Sequence, residues 1–326
     1  MPRLTHVSDL LFPVEEHPVF VAIQNAAGER RLSVPEKKAI VSVSNGRVFA
    51  IVSSGYRLVT NREALDWGLQ CCRSVFPETH PDEWEVGSVD APATGGHCCM
   101  DLVHNSTKLD FSFIPPQERP DVFGPFVRVT NSYNTLRALT FDIGFFRKVC
   151  KNGLIAPDTI IRFKFDHHQQ TIGDVIDFEI ADGRFVGLKA AFLEQMRSLS
   201  SVQVPREEHE PFVQAVLSLH PPQPLEQDTK EADEWESLTK HIGGLCDRYA
   251  KELGENAYAV FNAVTEFASH PPSNKQVRRE RHSLQRMAGA WLHSFSEQCR
   301  QPDFHLASYI GEFTHQTRLA GPGLRF

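Results

Sequence analysis

No apolar run in the 326 residues approaches the roughly 20 consecutive residues that a membrane-spanning helix needs, which argues against an integral membrane protein. No C-x-x-C pair occurs either. The seven cysteines fall as Cys71-Cys72, Cys98-Cys99, Cys150, Cys246 and Cys299, and adjacent cysteines are poorly placed to share one zinc ion. Free, mostly buried thiols are expected, with no metal bound at His97-Cys98-Cys99 or Asp166-His167-His168. G-x-S-x-G, H-E-x-x-H and the phosphate-cradling G-x-x-x-x-G-K-[ST] are all missing, and the pairs Gly95-Gly96 and Gly243-Gly244 lack the Lys-Ser/Thr that such a cradle requires. No catalytic residue and no cofactor is assigned. No repeat of fixed period is found, and the start, MPRLTHVSDLLFPVEEHP, couples a short apolar patch to acids, unlike a signal peptide. The expected compartment is the cytoplasm.

What the chain does contain is ordinary globular composition, 41 % hydrophobic and 23 % charged, with a net charge of −7 that is unevenly spread. Residues 206–236 hold nine acids and two Lys/Arg, which account for the whole excess. Net charge therefore leaves room for a local basic groove. Residues 126–165 supply one candidate: Arg128, Arg137, Arg147, Lys148, Lys151, Arg162 and Lys164 stand against Asp142 and Asp158, interleaved with Phe126, Tyr133, Phe141, Phe145, Phe146, Phe163 and Phe165. A second basic run, 275–286, reads KQVRRERHSLQR.

Periodicity predicts an α+β fold, a mainly antiparallel or mixed sheet with packed helices followed by a helical C-terminal region. Residues 1–18 read as a loose arm, 19–204 as the sheet domain, 205–233 as an acidic, proline-rich linker and 234–326 as helical. Asn45-Gly46 predicts a two-residue type I′ hairpin between 39–44 and 47–53. Thr60 with Glu63 predicts a capping box opening a helix along Leu65, Leu69, Cys72 and Phe76. Further strands are expected near 84–89, 97–103, 106–113, 126–130, 136–143, 160–165 and 175–180, and helices over 187–199, 234–252, 256–269 and 278–298.

Three blocks carry a family likeness. YRLVTNREAL (56–65), NSYN (131–134) with RKVCKNGL (147–154), and NAY (256–258) with FNAVTEF (261–267) resemble, in order and spacing, the signature blocks of the domain of unknown function 932 family, the phage/plasmid-like proteins. The resemblance implies a setting in phages, plasmids and integrated elements, without an established activity. By analogy of fold alone it brings phage single-strand annealing proteins to mind.

The function expected is binding of single-stranded DNA without catalysis, as an annealing or recombination accessory, because such binders combine phosphate neutralisation with aromatic stacking. The residues expected to do so are Arg128, Asn131, Tyr133, Asn134, Arg137, Arg147, Lys148, Lys151 and Asn152. A separate polar stripe, Tyr258, Asn262 and Glu266 at i, i+4 spacing, is expected either to tie its helix to the sheet domain or to line a site. The competing class is a protein-interaction or host-modulating (counter-defence) factor that docks through the acidic residues 206–236, and an oligomer is compatible with either. A metal-dependent nuclease using Asp174, Asp177 and Glu179 comes third.

Overall fold

The computed structural model describes residues 3–25, 28–77, 79–104, 111–113, 121–147, 152–154, 161–165, 167, 182–222 and 230–312. In chain order the strands are β1 (Arg3–Leu4), β2 (Val14–Asn25), β3 (Gly28–Ser42), β4 (Val48–Ser53), β5 (Trp84–Pro92), β6 (His97–His104), β7 (Phe111–Phe113), β8 (Asp121–Ser132), β9 (Leu139–Arg147), β10 (Asn152–Leu154) and β11 (Ile161–Phe165). The α-helices are α1 (Asn61–Val75), α2 (Asp182–Ser201), α3 (Arg206–Val216), α4 (Lys230–Leu253), α5 (Ala257–Ser269) and α6 (Arg281–Gln298). This is an α+β fold with antiparallel sheets and a helical C-terminal region. The expected strand over 175–180, with Asp174, Asp177 and Glu179, lies outside the described residues.

The chain divides into two compact units. The first comprises the described parts of Met1–Leu109, Pro125–Ile143 and Ile161–Phe185; the second comprises those of Asp110–Gly124, Gly144–Ile160 and Val186–Phe326. In the first unit the main sheet runs β1-β5-β6-β8-β9, with β11 paired to β9, and β2-β3-β4 make a separate three-stranded sheet. Residues 3–18 are therefore not a loose arm: Arg3 and Leu4 pair with Pro92 and Ala91, Leu10 is fully buried, and β2 begins at Val14. The hairpin at Asn45-Gly46 exists, but its turn spans four residues, with Ser42 N–H donating to Arg47 O and Gly46 N–H to Ser42 O. Only Gly46 of that pair takes positive φ (67°), so the type I′ turn, which needs it twice, does not form.

Helix α1 begins as the sequence dictates. Glu63 N–H donates to Thr60 Oγ1, and the Glu63 carboxylate accepts from Thr60 N–H at 2.7 Å, so two orphan donors of the first turn are satisfied. One face of the helix then buries Ala64, Gly68, Cys71, Cys72 and Val75. Against it lie Cys98, Met100 and Leu102 of β6, Val127 and Val129 of β8, and Leu139, Phe141 and Ile143 of β9, all from alternate positions of their strands and all fully buried. Gly68 sets the closeness of this contact: a Cβ there would fall 2.5 Å from Val129 Cγ2 and 2.9 Å from Leu102 Cδ1.

In the second unit α5 is enclosed on nearly every side: every residue from Ala257 to Ser269 except Glu266 is buried, as expected of a central helix. It packs on α3, α4, α6 and β10. Phe212, Trp291, Phe295 and Tyr309 form an aromatic cluster with centroid separations from 5.1 to 6.0 Å where α3 and α6 meet the chain beyond. Much of the stretch expected as linker is helical, because α3 starts at Arg206 with Glu207 and Glu208 in its first turn and buries Phe212, Val213 and Val216.

Gly68→Ala tests the helix-to-sheet contact. Overpacking a filled core costs about 1–3 kcal/mol, more than the gain of up to about 1 kcal/mol in helix propensity. Urea denaturation should show a net loss of stability, whereas Gly244→Ala on α4, with open space at its Cβ, should show a gain.

Candidate functional site

Two polar constellations of the first unit gather the residues singled out above. The first centres on Asn61, the opening residue of α1. Its Nδ2 donates to Leu10 O at 3.0 Å, its Oδ1 accepts from Asn131 Nδ2 at 2.9 Å and from Cys98 Sγ at 3.3 Å, and its backbone N–H donates to Tyr133 Oη at 2.7 Å. Asn131 Nδ2 also donates to Val59 O, and Tyr56 Oη to Ser132 O. All of these side chains are buried, so each group left without a partner would carry a desolvation cost of about 1–3 kcal/mol. Burial, with a contribution from Glu16, pushes the Tyr56 phenol up to about 12, and burial raises Tyr133 further. Both hydroxyls remain protonated throughout the physiological range.

The second constellation lies on the face of the sheet turned away from α1. The antiparallel register sets Ser88 opposite Asp101, Asp101 opposite Arg128, and Asp142 opposite Arg162. Ser88 Oγ donates to Asp101 Oδ2 at 2.6 Å, Arg128 grips both Asp101 oxygens through Nε (2.5 Å) and Nη2 (2.7 Å), and Arg162 holds Asp142 in the same fork at 2.5 and 3.0 Å. Burial alone would lower the Arg128 pKa, but the charge and hydrogen bonds of Asp101 outweigh it and hold the guanidinium protonated. The result is a row of alternating sign across the strands. Such a row neutralises itself, and a guanidinium that is buried and paired to its own carboxylate is not presented to a phosphate in solvent.

These placements correct the expected groove. Arg128, Asn131 and Tyr133 are at most 1 % exposed and stabilise the fold from within. Phe126, Phe141, Phe145 and Phe146 are buried as well, and the half-buried Phe163 and Phe165 pack against the core, so these rings serve packing. Asn134 is half-buried; its Oδ1 accepts from Ser132 Oγ and Leu136 N–H and shapes a turn in which Thr135 takes φ 62°. Arg137 is half-buried, with Nη1 3.5 Å from Cys99 Sγ. Arg147 and Asn152 pair through their backbones in β9 and β10, their side chains lying outside the described residues, as do Lys148 and Lys151 altogether.

Within the stripe on α5, Glu266 is the residue that reaches another helix. Asn262 Nδ2 donates to Tyr258 O within the helix, Tyr258 is buried, and Glu266 accepts from Arg248 and Tyr249 of α4. Burial would raise the Glu266 pKa, but these donors hold it below the usual carboxylate value. Asn256 caps α5 through Ala259 N–H. Among the described residues no group of three or more His, Cys, Asp or Glu is arranged to hold a metal ion. Cys98 and Cys99 are buried and point to opposite faces of β6, and burial raises both thiols.

Sequence reasoning missed Asn61 and Asp101. The available signal was a polar residue standing where strand alternation or a helix start places it inside: Asp101 between Met100 and Leu102, Arg128 between Val127 and Val129. Arg128→Ala should cost about 3–5 kcal/mol, the range for removing one partner of a buried ion pair. Chemical denaturation checks this, and a change below about 1 kcal/mol would contradict the structural role.

The profile of the family Domain of unknown function (DUF932) matches residues 48–291. No curated protein and no solved structure matches the chain. The matched span takes in all three signature blocks, two of which meet at the Asn61 junction. The chain belongs to the Domain of unknown function (DUF932) family.

Proposed function

We propose that this chain is a mobile-element (phage/plasmid-type) protein that binds single-stranded DNA without catalysis, as an annealing or recombination accessory. We place the contact at the start of α6. The mobile-element setting rests on the family resemblance. The observation that supports DNA binding is electrostatic and concerns residues 275–286, since Arg128 and Arg162 of the sheet are held by Asp101 and Asp142.

A helix N-terminus carries about half a positive charge, and acids in the first turn ordinarily offset it. Glu63 does so in α1, Glu207 and Glu208 in α3, and Glu231 and Asp233 in α4. Helix α6, like α5, has no acid in its first turn, and its N-cap, Glu280, makes no side-chain capping hydrogen bond. Lys275, Arg278, Arg279 and Arg281 gather there instead, with Lys275 and Arg278 exposed. The approach is fixed to α4: Asn274 Nδ2 donates to Glu234 O at 2.7 Å and Lys275 N–H to the Glu234 carboxylate at 3.3 Å. A concentrated positive potential on a fixed loop favours an anionic polymer. A single strand bends to bring successive phosphates to so small an arc, which a stiff duplex resists. The acids at the start of α4 have their own role in offsetting that helix's dipole, which weakens the case for 206–236 as a protein-docking surface.

Fluorescence anisotropy of labelled single-stranded and duplex DNA across a salt series tests this. The expected result is tighter binding to the single strand, with a slope of log K against log salt of about −2 to −3, from about 0.7 per phosphate neutralised. The Lys275→Ala/Arg278→Ala variant should flatten that slope by about 1.4. Absence of binding at low salt, or an unchanged slope in the variant, would overturn the proposal.

A further inference from the structure

We infer that two copies of this chain associate through the outer edge of β2, by antiparallel pairing about a two-fold axis at Val21. This inference concerns a different surface from the DNA contact and stands independently of it.

Strands β2 and β3 extend well beyond the third strand of their sheet. β4 pairs with β3 only from Lys37 to Val41, whereas β2 and β3 continue pairing outward from Phe20↔Ser33 to Asn25↔Gly28. Over this outer part every described residue is exposed, and the half-buried Val19 and Val34 lie at its base. Val21 and Leu32 face each other across the ladder, 49 % and 38 % exposed, with Ile23 beside them at 42 % and Phe20 on the opposite face at 54 %. A two-stranded hairpin is at best marginally stable in water, and three or more strands with an apolar face are needed for it to stand alone. The arm as a single copy falls short of that.

Its two edges differ in the way that decides the occupant. The β3 edge carries Glu29, Arg30 and Arg31 and then Pro35, which has no N–H to offer; such residues blunt an edge against pairing. The β2 edge carries no charge and no proline from Val19 to Gln24, VFVAIQ. Glu15, Glu16, His17 and Pro18 confine pairing to that outer stretch.

An uncharged strand of this composition complements itself. With Val21 opposite its own copy, Phe20 meets Ala22 and the branched Val19 meets the branched Ile23, so the pairs are apolar throughout and no like charges oppose each other. The joined arms form a four-stranded sheet, β3-β2-β2-β3, whose one face gathers Val21, Ile23 and Leu32 from both copies. The charged residues of β3 stay on the two outer strands. A partner of another sequence would find no charge on this edge to select it, whereas the strand's own copy needs none.

The test is a charge swap at the axis, read by light scattering on a sizing column over a concentration series of the full chain. Wild type should elute at the mass of two chains. Val21→Lys and Val21→Glu should each elute as one chain, since each sets like charges directly opposite, with melting temperatures of the main fold unchanged because Val21 lies outside the core. Mixing the two variants in equal amounts should restore the two-chain mass. A single-chain mass for wild type, a two-chain mass for either variant alone, or failure of the mixture to recombine would each overturn the inference.

Discussion

The first unit depends on one buried asparagine. Asn61 opens α1 and holds four partners from distant parts of the chain: Leu10 before the small sheet, Cys98 on β6, Asn131 at the end of β8 and Tyr133 beyond it. A helix packed on a sheet through apolar contact alone can slide or rotate, since dispersion has little directional preference. Hydrogen bonds with buried donors and acceptors do not permit this, because any shift leaves a polar group unsatisfied away from water. The junction therefore fixes the rotation of α1. With that rotation fixed, Gly68 lies over Val129 and Leu102 and the helix sits close to the sheet.

The signature blocks acquire a physical meaning from this geometry. Residues 56–65 and 131–134 are more than 60 positions apart in sequence, yet Tyr56, Val59 and Asn61 of the first block bond Ser132, Asn131 and Tyr133 of the second. They form one structural junction. The third block plays the equivalent part in the other unit, where Asn256 caps α5 and Glu266 fastens it to α4. What identifies the family in this chain is thus largely what holds each unit together, and the surfaces proposed for binding lie elsewhere: residues 275–286 beside α4, and the outer arm of β2 and β3.

Local features were legible in the sequence. The capping box at Thr60 and Glu63, the helical periods of α4, α5 and α6, and the positions of most strands are decided within a few residues, and they formed close to where the pattern placed them. The Asn45-Gly46 hairpin formed with a longer turn, since the register of β3 and β4, not the dipeptide, set its length. Cross-strand register was not legible. Arg128 looked like a phosphate ligand because Asp101, which holds it, lies 27 positions away on another strand. Tyr133 looked like a stacking ring because nothing local shows that its hydroxyl accepts from the first turn of α1. The division into two units was equally hidden, as it cuts through β8, β9 and α2 rather than the proline-rich stretch.

The most direct test of the account is a double-mutant cycle between Asn61→Ala and Asn131→Ala, followed by urea denaturation. If the two side chains act through one another, the losses are non-additive, with a coupling of about 1–3 kcal/mol. Losses that add to within about 0.5 kcal/mol would mean that the two asparagines act independently, and the junction would not be the constraint on which the unit depends.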